Sequence, residues 1–216
     1  ADVWRAKGYA GPFAVIPQFG VDAQVFHPYE GPLHPAPVHI VYVGRLVPEK
    51  GGDLVLQSLA HLEGDWRATF LGSGPELPAL QKTAQVLGLA LRVTFRPWLP
   101  SAEMPEFYRT ADVLVLPSRA QSNWTEQFGR VLVEAMASGV AVVGSDVGEI
   151  PHVIGAAGRT FPEGGVQALA DLLADLIARS DLRRELGERG RQRVLEMFTQ
   201  ERIAAATVAV YREVLA

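Results

Sequence analysis

From Val38 onward the chain alternates short apolar runs with stretches whose apolar residues recur at helical spacing, and that alternation leaves few folds open. Val38 to Val43, Arg67 to Leu71, Leu91 to Phe95, Ala111 to Leu116 and Val140 to Val143 are the strand candidates. Between and after them, helices are expected near 50–62, 75–87, 102–110, 128–138, 165–179, 181–196 and 199–215. Leu54, Val55, Leu59 and Leu62 mark the buried stripe of the first of these. A strand with one face in water alternates apolar and polar residues, whereas most of these read as predominantly apolar runs. Both faces of the sheet must therefore be covered, which is the condition of a parallel sheet with helices on each side. The fold class is α/β.

The segment before Val38 does not belong to that pattern. Ala1 to Gly8 reads as the end of a helix and Phe13 to Pro17 as one short strand. A turn-rich passage follows, with Pro17, Gly20, Pro28, Gly31, Pro32, Pro35 and Pro37. Residues 1–37 are expected to be an interdomain connection whose first domain lies outside this sequence, with an irregular segment wrapping the same domain as the alternative, and 38–198 to be one domain. At the far end, Thr199 is a candidate helix cap after Phe198, with Glu201 and Arg202 in the first turn. Residues 199–216 should then form a helix returning toward that other domain.

Composition narrows the function. Apolar residues make up 48% and charged residues 20% of 216, an ordinary folded composition. The net charge of −4 has no long single-sign run behind it, so no nucleic-acid surface is expected. With no cysteine, disulfides, thiolate metal sites and thiol catalysis are excluded. His27, His34, His39 and His61 have no metal-ligand spacing. No apolar stretch of about 20 residues is present, and the expected location is cytoplasmic.

In a sheet of this kind, ligands collect beyond the C-terminal ends of the strands, near helix N-termini with unpaired N–H groups. The unusual residues fall there. Gly44 and Arg45 follow the first strand and precede Lys50; Gly72-Ser73-Gly74 follows the second. Arginine offers phosphate a rigid fork and lysine a mobile point charge. Gly72-Ser73-Gly74 lacks the third glycine of a dinucleotide fingerprint, and Pro75 and Glu76 fit a tight turn at a helix start, so no NAD site is expected. No Asp-x-Asp pair stands at a strand end to hold a divalent cation, and neither metal nor cofactor is called for.

Glu126 and Glu134 lie eight positions apart at the opening of the 128–138 helix. Along a helix that separation is a net rotation of about 80° and a rise of about 12 Å, so both carboxylates can face one crevice two turns apart. Such a span suits a sugar and a ribose at opposite ends of a diphosphate.

Several motifs together resemble the family 4 retaining glycosyltransferases, two-domain enzymes of the GT-B fold. They are Pro117-Ser118-Arg119, Glu126-Gln127-Phe128-Gly129, Glu134-Ala135-Met136-Ala137-Ser138-Gly139 and Gly148-Glu149-Ile150-Pro151. Val43-Gly44-Arg45-Leu46 with Glu49-Lys50-Gly51 belongs to the same pattern, as does Ile16-Pro17 with Gly20-Val21-Asp22. The resemblance spans nearly the whole chain and only the C-terminal, Rossmann-like half of such an enzyme. It implies transfer of a sugar from a nucleotide-sugar donor to a sugar or lipid hydroxyl with retention at the anomeric carbon.

The resemblance also implies roles. Arg45 and Lys50 would hold the donor diphosphate, with Gly44 and Gly72 beside them; Glu126 would contact the donor sugar near the reacting carbon; Phe128 and Gly129 would form a turn approaching sugar and phosphate. Val131 and Leu132 follow in the donor-binding helix, and Glu134 would receive two ribose hydroxyls. The loop holding Trp98 and Leu99 would face the base. Arg45, Lys50 and Glu126 are the catalytic candidates. Trp98 reads equally as a stacking partner or a packed aromatic, and Trp124 as a shaper or shield of the sugar pocket or a loop anchor. His152 stands where many relatives carry an acid and reads as a surface histidine. The absent half would carry most acceptor contacts and any peripheral association with the inner face of the cell membrane, and the 216 residues alone would bind without catalysing. Epimerases and phosphorylases share the two-domain frame; a noncatalytic nucleotide-sugar-binding module is the contrasting alternative.

Overall fold

A computed structural model describes residues 2–29, 31 and 37–215. Pro32, His34 and Pro35 of the turn-rich passage lie outside the described residues. Among the described residues, six strands form one sheet: β1 (Val38–Val43), β2 (Trp66–Leu71), β3 (Val93–Arg96), β4 (Val113–Leu116), β5 (Ala141–Ser145) and β6 (Arg159–Phe161). They run parallel in the order β3-β2-β1-β4-β5-β6. The helices are α1 (Asp2–Ala6), α2 (Gly52–Leu59), α3 (Leu77–Val86), α4 (Met104–Arg109), α5 (Arg130–Ala137), α6 (Ile150–Ile154), α7 (Val166–Ala178), α8 (Ser180–Met197) and α9 (Gln200–Leu215).

The inner strands feed two separate cores, while β3 and β6 at the sheet edges give their buried residues to one of them. Ile40 and Tyr42 of β1 pack with Leu56, Leu59, Phe70, Leu169 and Leu173, under α2 and α7. Val41 and Val43, pointing the other way, pack with Leu114, Tyr108, Leu132, Met136 and Ile154, under α4, α5 and α6. Period-two alternation along a strand thus serves two apolar faces instead of one apolar and one wet.

Four expectations need correction. Residues 13–17 form no strand: no neighbouring strand offers them a ladder, and Phe13 and Val15 are exposed. The sheet has a sixth strand, β6, whose Arg-Thr-Phe is too short and too polar to stand out as a run; it pairs through Val143↔Arg159 and Ser145↔Phe161. The first helix does not begin at Lys50. A single 3-10 turn, Pro48–Lys50, ends at Gly51 with φ 64°, and α2 starts after it. A side chain at Gly51 would collide with the carbonyl of Pro117, so the backbone there is shaped by the β4 loop. Finally, Glu126 is not helical, because α5 begins only at Arg130 after Gly129 at φ 77°. The rise-per-residue argument for the two acids therefore does not apply, and their relation is set by a loop.

Thr199 caps α9 as expected, its hydroxyl accepting the N–H of Arg202 at 3.2 Å. Part of the N-terminal segment is tied down beside it. Val21 bridges Thr199, and Arg191 of α8 donates to the carbonyls of Ala23, Phe26 and Ala137.

Candidate functional site

The strand order reverses between β1 and β4, and the loops leaving the C-terminal ends of these two strands diverge to leave a crevice. A cavity of about 380 Å³ lies there, lined by Gly44, Arg45 and Lys50 from the β1 loop and by Glu126, Phe128, Gly129 and Val131 from the β4 loop and α5. Trp98 from the β3 loop and Phe19 from the N-terminal segment close its sides. Arg130 and Val131, the first residues of α5, border it, so the partly unpaired N–H groups of that turn add positive potential.

The charges inside are arranged tightly. Lys50 Nζ sits 2.5 Å from Glu126 Oε2, with the two side chains only 16% and 11% exposed. Buried Ser118 donates its hydroxyl to the same oxygen at 2.8 Å, so Glu126 is held from two sides. Arg45 differs: its side chain is 58% exposed at the mouth and meets Glu49 at 3.3 Å. The β4 loop is braced to the β1 loop by the Arg119 N–H on the Glu49 carbonyl, and to the first turn of α2 by a two-point bond from Arg119 to Asp53 at 2.8 and 2.9 Å. This brace holds Lys50 and Glu126, 76 residues apart in sequence, in one register.

Glu134 stands apart from that pair. It is buried on α5 and faces a neighbouring depression of about 250 Å³ with Phe19, Asp22, Phe26 and Arg130. Its oxygens take Arg130 Nε at 2.7 Å and the Tyr108 hydroxyl at 3.0 Å. Burial, reinforced by the Glu134 charge, pushes the Tyr108 phenol well above its usual range, so it stays protonated and donates to Glu134. Burial likewise raises the Tyr42 phenol, which donates to the Arg45 carbonyl at 2.8 Å and steadies the start of the β1 loop. Arg130 lines both depressions and links them.

The sequence model of the family described as Glycosyl transferases group 1 matches residues 31–193, three quarters of the chain. This chain belongs to the group 1 glycosyl transferases. One relative is the GDP-mannose-dependent alpha-(1-6)-phosphatidylinositol monomannoside mannosyltransferase of Mycolicibacterium smegmatis, 33% identical over 164 residues, covering 73% of this chain and 43% of the relative. Among solved structures, the sucrose-phosphate synthase of Thermosynechococcus elongatus superposes with a TM-score of 0.84 at 28% identity, over 99% of this chain and 56% of that one. The C-terminal domain of a group 1 family glycosyl transferase from Francisella tularensis, crystallised by itself, gives a TM-score of 0.74 at 28% identity, over 84% of this chain and all of that one. The chain spans about half the length of the curated relatives it matches. Its Rossmann-like sheet is that of the GT-B glycosyltransferase neighbours.

Within this group 1 chain, the residues singled out by sequence divide into three sets. Gly44, Arg45, Lys50, Trp98, Glu126, Phe128, Gly129 and Val131 share the cavity wall. Gly72 lies behind it, its N–H bonded to the Arg96 carbonyl; Leu99 packs on the core under α4, α5 and α6, and Leu132 is wholly inside that core. Glu134 is one depression away. Trp124 does not line the cavity; its ring lies 4.9 Å from Lys50 Nζ. His152 is 81% exposed, in keeping with a surface histidine. Sequence reasoning assigned no role to Ser118, Arg119, Asp53 or Arg130. Ser118 and Arg119 lie inside a quoted motif and Arg130 directly follows another, but only the fold discloses which acids they touch.

Proposed function

We propose that this chain is the donor-binding half of a retaining glycosyltransferase, which moves a sugar from a nucleotide-sugar to a hydroxyl acceptor. The observation that carries the reading is the convergence of Arg45, Lys50 and Glu126 on one cavity at the reversal of strand order, beside the N-terminus of α5. Two cationic side chains and a helix terminus suit a diphosphate leaving group without requiring a metal. The Mycolicibacterium smegmatis relative is named for a GDP-linked mannose donor, which supports the donor class and does not fix the nucleotide.

In this reading the diphosphate lies against Arg45, Lys50 and the first turn of α5, the sugar near Glu126, and the ribose toward Glu134 and Arg130. The bond from the anomeric carbon to the departing phosphate oxygen breaks through an oxocarbenium-like state, while the acceptor oxygen attacks the same face. The acceptor proton passes to the leaving phosphate. Arg45 and Lys50 stabilise the negative charge that develops there, and Glu126 positions the sugar.

The acceptor side belongs to an N-terminal half carried by the longer protein, joined through residues 1–37 and covered in part by α9. Val208, Tyr211, Val214 and Leu215 of α9, and Val3 and Trp4 of α1, are large apolar residues left exposed. The test is incubation of the complete protein with nucleotide-sugars and acceptors, followed by assignment of the product anomer. Retained configuration is expected; inversion, or rearranged nucleotide-sugar formed without acceptor, overturns the mechanism.

A further inference from the structure

We propose that Trp124 is a positioning residue for Lys50, holding its ammonium toward the diphosphate through the face of the indole ring. The inference rests on the donor-site reading above and goes beyond it. Lys50 Nζ lies over the Trp124 ring, 4.9 Å from its centroid, while its other close contact is Glu126. The ring backs the lysine from outside the cavity, since Trp124 does not line it and Lys50 does.

That placement solves an electrostatic difficulty. A lysine kept from water needs a compensating partner, but a second carboxylate would neutralise the charge that a diphosphate must meet. An aromatic face attracts a cation through its quadrupole without net charge and without accepting its hydrogen bonds strongly. The ammonium thus keeps donors free for phosphate while losing little to desolvation.

The turn presenting Trp124 is fixed enough for the role. Gln121 and Trp124 exchange backbone bonds at 2.8 and 3.3 Å, closing a two-residue turn. On one side the Ala120 N–H is held by Glu163 at 2.8 Å; on the other, the Glu126 carbonyl accepts the Glu149 N–H at 3.0 Å. The half-buried indole is therefore carried by a loop pinned at both ends against the β5 and β6 loops.

The experiment compares the unchanged chain with Trp124→Phe, Trp124→Leu and Lys50→Ala, measuring calorimetric affinity for UDP, GDP and ADP against the corresponding nucleosides. Phe and Leu are apolar and close in bulk, but only Phe has a ring face. Trp124→Leu should weaken diphosphate binding roughly three- to thirty-fold and leave nucleoside binding unchanged, while Trp124→Phe retains most of the affinity. Lys50→Ala marks the full loss, and a melting curve on each variant separates folding from binding. If Phe and Leu act alike, or if both weaken nucleoside as much as diphosphate, Trp124 is only a loop anchor and the inference fails. If the unchanged chain binds no diphosphate better than its nucleoside, the donor-site reading itself fails and takes this inference with it.

Discussion

Replacing Lys50 by Met, Glu126 by Gln, and both together tests whether the cavity is organised around one buried pair. At the observed 2.5 Å the gross attraction is about 7 kcal/mol at an effective dielectric constant near 20. Most of it is offset by desolvation, because the two side chains are 16% and 11% exposed. Ser118 still donates to Glu126 when the lysine is gone, and the cavity admits water, which softens the penalty on the orphaned carboxylate. Lys50→Met should therefore cost about 1.5–3 kcal/mol, the range for a charged hydrogen bond. For a chain of this length that lowers the melting temperature by roughly 3–12 °C. Glu126→Gln should cost a similar amount, and the double variant less than the sum, leaving a coupling of about 1 kcal/mol or more. Urea denaturation monitored by circular dichroism supplies the four free energies. Additive losses within about 0.3 kcal/mol would refute the reasoning, since two groups that hold each other cannot be removed independently.

The cavity roles lead to three further expectations. Arg45→Ala should weaken nucleoside diphosphate binding by roughly ten- to a hundred-fold with little change for the nucleoside, and chelating magnesium should leave the difference intact; equal losses for both ligands in calorimetry would place Arg45 outside the phosphate site. Glu134→Gln should impair free nucleoside diphosphate and nucleotide-sugar alike, whereas Glu126→Gln should impair chiefly the sugar-bearing donor; calorimetry with matched ligands checks the division, and parallel losses in the two variants would end it. Arg119→Lys replaces the two-point bond to Asp53 with a single one, so it should lower stability by about 1 kcal/mol and weaken diphosphate binding through misplacement of Lys50; an unchanged affinity would show that the brace does not set that register.

How far the site could be read in the sequence varies from residue to residue. Arg45, Lys50, Glu126, Phe128 and Gly129 were legible because they follow strands in a pattern shared with a known family, and they do meet in one cavity. Ser118 and Arg119 sat in the same motifs without a visible task, since a serine and an arginine after a strand are also ordinary loop residues. Trp124 could be placed near Glu126 by position alone, but nothing local indicates that its ring faces a lysine from a different strand loop. Glu126 and Glu134 illustrate the reverse: their spacing suggested a helix, and the left-handed backbone at Gly129 broke it.

Local sequence determined the strand interiors, the helix stripes, the Thr199 cap and the α/β class, because each depends on burial periodicity or on bonds spanning a few residues. Residues buried on both faces must be apolar throughout, so β1, β2, β4 and β5 announced themselves; β6, three residues on the sheet edge, did not. The order β3-β2-β1-β4-β5-β6 was decided only in three dimensions, and with it the crevice between β1 and β4. So were the contact of Lys50 with Glu126 across 76 residues and the tie between Arg119 of the β4 loop and Asp53 of α2. The physical reason is range. Backbone preference and periodicity act over one or two turns, whereas a charged pair forms only after packing has brought distant loops together and removed the water between them.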